Sequence, residues 1–119
     1  MKSVIIIPAR FGSSRYEGKP LIKINGVPLV IRVARKCSKA IGKENVFIAT
    51  DDHRISFIAK KYGFKFIMTS KKNLTGTDRV AEASSKVKAN IIINVQGDEP
   101  LINPKDIMKV ISEKKKNFN

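Results

Sequence analysis

The sequence predicts an α/β fold: a mostly parallel sheet with helices on both faces. Two observations carry that expectation. Short, nearly continuous apolar runs recur along the chain, as strands covered on both faces require. Between them lie segments with apolar residues at three- and four-residue spacing, so strand and helix alternate from end to end.

The first apolar run, Val4–Ile7, reads as a buried strand bounded by Pro8, whose missing N–H cannot continue a ladder. Leu21–Ile24 reads as a small extra strand or hairpin arm ending at the turn pair Asn25-Gly26. A helix is expected from Pro28, a favourable first-turn residue, with Leu29, Val30, Val33, Ala34 and Cys37 on one face and a stop near Gly42. Val46–Thr50 is the next strand. A second helix follows from about His53 to Tyr62, ending at Gly63 with Lys60 and Lys61 in its last turn, where cations suit the helix dipole. Lys65–Met68 is the third strand, Thr77–Val87 the third helix with Asp78 in its first turn, Ile91–Val95 the fourth strand, and a last helix runs from near Pro104 to about Lys115.

At 119 residues the chain is one domain at most, able to bury roughly two thirds of its unfolded surface. No apolar run approaches the roughly 20 residues of a membrane span, and no small-residue cleavage site follows the N-terminal run. The single cysteine, Cys37, excludes an intrachain disulfide and a cysteine-based metal site. These features favour a cytoplasmic protein. The net charge of +14 raises nucleic-acid binding. Against it, 18 of the 24 basic residues are lysines, spread over helix faces and the tail. Surfaces that read bases or phosphates show clustered arginine interleaved with aromatics. The charge therefore reads as solvated faces.

In open α/β sheets, ligands bind beyond the carboxyl ends of the strands, so the segments following each strand are the candidates for chemistry. After the first comes a loop with Arg10, Gly12, Ser13, Arg15 and Lys19. Its small residues let backbone amides approach phosphate oxygens while its cations offset charge, yet a solvated basic loop explains the same residues, since neither G-x-G-x-x-G nor a Walker A sequence is present. After the second comes Thr50-Asp51-Asp52-His53, where helix capping is the commoner use of the acids and His53 reads as a surface residue. Thr75-Gly76-Thr77-Asp78-Arg79 leads the third helix and serves either as an N-cap or as a base- or ribose-binding turn, with Arg79 one turn in. After the fourth strand comes Gln96-Gly97-Asp98-Glu99-Pro100. A carboxylate there suits Mg²⁺, which takes one or two carboxylates plus phosphate oxygens and water, and an acidic cap ahead of Pro100 fits equally well.

Taken together and in this order, IPARFGSSRYEGKPL, ATDD, TGTDR and NVQGDEP resemble the 3-deoxy-D-manno-octulosonate cytidylyltransferases (CMP-Kdo synthetases) over essentially the whole chain. Sialic acid cytidylyltransferases are the near relatives, sharing the fold and a similar first loop, whereas NVQGDEP favours the Kdo enzymes. The resemblance implies a Rossmann-like nucleotidyltransferase fold and an enzyme that consumes CTP and an eight-carbon acid sugar, releases pyrophosphate, serves lipopolysaccharide assembly, uses Mg²⁺, and forms homodimers at full length. It matches Arg10 and Lys19 to residues that contact the triphosphate, with Arg15 assisting. Ala9, Gly12 and Ser13 would line the nucleotide, Thr75, Gly76, Thr77 and Arg79 would lie near cytosine and ribose, Gln96 would form the cleft floor, and Asp98 would bind magnesium. Two departures stand out. Tyr16-Glu17 replaces the family's Leu-Pro, so Glu17 is expected to point outward. Family members run to roughly twice this length, which implies a nucleotide-binding half without the sugar-binding residues, a second magnesium aspartate or the dimer contacts. A non-catalytic basic module that binds nucleic acid, and a structural fragment with an exposed sheet edge, are the competing readings.

Overall fold

The computed structural model describes residues 2–12, 17–99 and 101–117. Among them are β1 (Ser3–Pro8), β2 (Lys23–Ile24), β3 (Val27–Pro28), α1 (Leu29–Ile41), β4 (Val46–Thr50), α2 (His53–Lys61), β5 (Lys65–Met68), α3 (Gly76–Ser84), β6 (Ile91–Asn94) and α4 (Pro104–Lys116). Four of these strands form one parallel sheet in the order β5-β4-β1-β6. β2 and β3 form a separate antiparallel hairpin, whose turn residues Asn25 and Gly26 have φ 51° and 80°, the pair of positive values that a type I′ turn requires.

β1 is the centre of the fold because it is apolar on both faces. Ile5 and Ile7 pack with α1 (Val30, Val33, Cys37), α2 (Ile55, Ala59) and α4 (Ile107, Ile111). Ile6 points to the other face, where Ala49 and the α3 residues Val80 and Ala83 meet it. The chain steps outward from β1 to β4 and β5 with α1 and α2 on one face. It then returns past β1 to β6 with α3 on the other. Reversing direction while keeping right-handed crossovers demands that change of face. The reversal leaves a topological switch point between β1 and β6, where open α/β sheets place their ligands.

Pro8 belongs to β1, paired with Ala49, and does not stop short of it. The Ala9 amide donates to Ala49 on the β4 side and the Ile6 carbonyl accepts from Val95 on the β6 side. Backbone groups alternate along a strand, so the N–H that Pro8 lacks would face β6, beyond Ile6↔Asn94, the last pair of that ladder. The proline therefore costs no ladder bond. α3 ends at Ser84, short of the expected Val87. There Ser84 and Ser85 hydroxyls donate back to the carbonyls of Ala81 and Glu82 at 2.8 and 2.7 Å, the local competition by which serine closes a helix.

Candidate active site

The switch point gathers three segments far apart in sequence. Lys19 opens a short 3₁₀ turn, Lys19–Leu21, after Gly18. Its Nζ donates to Asp98 Oδ2 at 3.2 Å across 79 residues of sequence, and both side chains are about half exposed. The start of α3 closes in from the other face of the sheet. A Cβ on Gly76 would stand 3.3 Å from the Pro8 ring and 3.4 Å from Gln96 Oε1. Gly97 is packed more tightly still, since a Cβ there would lie 3.1 Å from the Pro8 carbonyl oxygen, a backbone atom that cannot swing away. Gly97 is thus a close-approach glycine at the floor, and the sequence signal for it is a glycine just past a strand.

The expected site residues divide by what the structure does with them. Lys19 pairs with Asp98, and Gly76 and Gln96 meet at the Pro8 ring. Gln96 is exposed at the edge of the crevice, with Nε2 donating to Asn94 Oδ1 at 3.3 Å. Ala9 is buried and its N–H is spent on Ala49 at 2.9 Å. It therefore lines the floor with its methyl group, and its amide is not free for a nucleotide. Arg10 and Gly12 are exposed, and a Cβ on Gly12 would meet open space. Thr75 caps α3, its hydroxyl accepting from the Asp78 amide at 3.0 Å, while Thr77 is exposed in the first turn. Ser13 and Arg15 lie outside the described residues.

Arg79 does not project into the crevice as an unpaired cation. It is buried, with Nη1 donating to the Thr69 hydroxyl and, at 3.4 Å, to the Ser70 carbonyl, and with Nη2 donating to Asp51 Oδ2 at 3.3 Å. Its guanidinium ties α3 to the ends of β4 and β5, so it supports the Thr75-Gly76 turn from behind. Asp52 is the N-cap of α2, accepting from the Arg54 amide. His53 and Glu17 are exposed, as expected. Glu82 reaches back from α3 to accept from the Ser70 amide at 3.0 Å and from Asn73 Nδ2 at 2.9 Å. Those bonds hold its carboxyl below the usual range, with Ser70 the main cause, and they order the segment leading to Thr75.

The crevice thus carries a pair of opposite charges, one from the first loop and one from the turn after β6. Comparison with known proteins fixes the family. Residues 4–119 match the model of the family described as Cytidylyltransferase. The chain belongs to that family. Among cytidylyltransferases it is 46% identical over 115 residues to 3-deoxy-manno-octulosonate cytidylyltransferase 2 of Hydrogenovibrio crunogenus, covering 94% of this chain and 46% of the relative. It is 44% identical, again over 115 residues, to 8-amino-3,8-dideoxy-manno-octulosonate cytidylyltransferase of Shewanella frigidimarina, covering 94% and 47%. A solved structure of CMP:2-keto-3-deoxy-manno-octonic acid synthetase complexed with CTP superposes with a TM-score of 0.93 at 43% identity, covering 98% of this chain and 48% of that one. The chain thus spans about half the length of the cytidylyltransferases it matches, and the membership identifies it as nucleotidyltransferase sequence. No helix among the described residues is long and apolar enough to cross a membrane.

Proposed function

We propose that this chain carries the CTP site of a 3-deoxy-manno-octulosonate-type cytidylyltransferase, which transfers CMP to the acid sugar and releases pyrophosphate in lipopolysaccharide biosynthesis. The observation that carries the reading is the Lys19–Asp98 pair at the switch point, in a fold that superposes on a CTP complex. Because one relative is an 8-amino-3,8-dideoxy-manno-octulosonate cytidylyltransferase, the acceptor class extends to such amino sugars. The anomeric hydroxyl attacks the α-phosphorus and gives up its proton to solvent, the bond from that phosphorus to the bridging oxygen breaks, and pyrophosphate departs with the electron pair.

Lys19 and Arg10 hold the β- and γ-phosphates and offset the charge that develops on the leaving group. The tight floor of Pro8, Ala9 and Gly97 admits the nucleotide close to the backbone, and the Thr75-Gly76 turn presents the first amides of α3 beside it. Asp98 would hold Mg²⁺ as its hard oxygen donor. Among the described residues no three acidic, histidine or cysteine side chains converge to cage a metal. One carboxylate completed by phosphate oxygens and water is the manner in which Mg²⁺ binds with nucleotides. When bound, Mg²⁺ supplies charge neutralisation on the triphosphate.

Calorimetric titration with CTP and Mg²⁺ tests the reading. The chain binds CTP, and Lys19→Ala weakens binding roughly 10- to 100-fold, the loss expected when about 1.5–3 kcal/mol of charge-assisted hydrogen bonding is removed. Absence of CTP binding by the unaltered chain, or undiminished affinity in Lys19→Ala, overturns it.

A further inference from the structure

The first loop carries a clasp that the nucleotide chemistry does not itself employ. Arg10 and Lys19 stand one residue outside Phe11 and Gly18, and the Phe11 carbonyl accepts from the Gly18 amide at 2.6 Å. Gly18 has φ 74°, and a Cβ on it would lie 2.9 Å from Cε2 of the Phe11 ring. Only glycine suits both the conformation and the contact. The guanidinium carbon of Arg54, in the first turn of α2, sits 3.2 Å from the centroid of that ring. Arg54 is itself forked onto Asp52, with Nε donating to Oδ1 at 3.0 Å and Nη2 to Oδ2 at 2.8 Å. Asp52 is anchored in turn by its amide, which donates to the Thr50 hydroxyl at 3.2 Å, at the end of β4. A continuous path therefore runs from the sheet through Asp52, Arg54 and Phe11 to Gly18.

We propose that Arg54 is a positioning residue for the phosphate-binding cations: stacked on Phe11 and forked onto Asp52, it holds the Phe11–Gly18 neck and thereby sets the spacing of Arg10 and Lys19. A planar guanidinium does both jobs at once, lying flat on an aromatic face while pairing with both oxygens of a carboxylate, and an ammonium does neither. The spacing matters because two cations must meet one triphosphate, and a misplacement near 1 Å costs binding and rate steeply. The functional consequence rests on the CTP-binding reading, whereas the clasp itself does not.

The experiment follows hydrogen exchange at the Gly18 amide by NMR, with CTP titrations alongside, in the unaltered chain, Arg54→Ala, Arg54→Lys and Phe11→Leu. Phe11→Leu keeps apolar bulk and removes the π-face without touching α2. Gly18 exchange should rise about three- to tenfold in all three variants, with the β1 and β4 amides unchanged and CTP affinity reduced by a similar factor. Unaltered Gly18 exchange in Arg54→Ala and Phe11→Leu overturns the clasp. If Arg54→Lys restores full CTP affinity while Gly18 still exchanges fast, Arg54 acts by charge alone and the positioning role is refuted. If the unaltered chain binds no CTP, the functional reading fails and Gly18 exchange still decides the clasp.

Discussion

Removing the Asp51 carboxylate should destabilise the chain more than removing the Arg79 guanidinium it pairs with. The asymmetry follows from their burial. The Arg79 side chain is 1% exposed and that of Asp51 is 17% exposed, so Asp51→Ala strands a cation where water cannot reach it. Among the described residues the cation then keeps the Thr69 hydroxyl and the Ser70 carbonyl as its partners. Breaking a buried ion pair from one side typically costs about 3–5 kcal/mol. This pair makes a single 3.3 Å contact with one partner partly wet, so roughly 2–3 kcal/mol is expected for Asp51→Ala. Arg79→Met retains most of the buried volume and leaves behind a carboxylate that can be hydrated, for about 1 kcal/mol. At this chain length a kcal/mol moves Tm by about 4 °C, so the two variants should fall roughly 10 °C and 4 °C below the parent. The double variant should resemble Arg79→Met alone, because removing the cation removes the penalty for stranding it. Urea unfolding followed by far-UV circular dichroism measures all three. A cost below about 1 kcal/mol for Asp51→Ala, or a larger cost for Arg79→Met, refutes the account of Arg79 as a cation held by the strand ends.

Two further outcomes follow from the titrating groups. Cys37 is buried on α1, and burial pushes its thiol up to about 12; iodoacetamide at pH 8 should leave it unmodified in the folded chain and alkylate it readily in urea, and fast labelling without denaturant would count against the packed α1 face. Asp52 and Glu82 are both held below their ordinary values of 3.8 and 4.5, Asp52 chiefly by its hydrogen bond from Arg54 and Glu82 by the Ser70 amide. A lowered folded-state pKa gives stability that is present above the ordinary value and is lost as pH falls through the folded one. Stability should therefore decline below about pH 4.5, and Asp52→Asn with Glu82→Gln should flatten that decline; an unchanged acid limb in the double variant sinks the assignment.

Local features were the legible ones. Val46–Thr50 and Lys65–Met68 match the strands residue for residue; the first is the nearly buried strand its apolar run implies, whereas the second is an edge strand with Lys65 and Phe66 exposed. The Asn25-Gly26 turn and the Pro104 helix start carry their geometry in single side chains. The helix at Thr75 was legible as a cap, but whether it also met the end of β1 was not. That meeting depends on the strand order β5-β4-β1-β6, which no local pattern encodes. The pairings Asp51–Arg79, Phe11–Arg54 and Lys19–Asp98 are likewise products of topology, and none of these partners could be matched from the sequence around either residue. Arg79 shows the consequence most clearly. Its position in TGTDR suggested a ligand contact, whereas the strand ends behind it supply a carboxylate and a hydroxyl that claim the guanidinium first.

The net charge of +14 is a poor guide to where the chemistry lies, and the backbone is a better one. β1 bonds to β4 through the odd-numbered amides as far as Ala9, and to β6 through the even-numbered groups only as far as Ile6. Past that point the β6 side of β1 offers the Pro8 carbonyl and, because proline has no N–H, no donor. Gly97 covers that carbonyl at a distance no other residue could adopt without displacing it. The ladder thus opens into a crevice with an apolar, closely packed floor, and every charge that matters is brought in from the rim, Lys19 from one side and Asp98 from the other. Most lysines of this chain contribute only a diffuse field. Lys19 and Asp98 are set at the place where the sheet stops pairing, and under the proposed function that placement, not the overall excess of positive charge, would receive the phosphates.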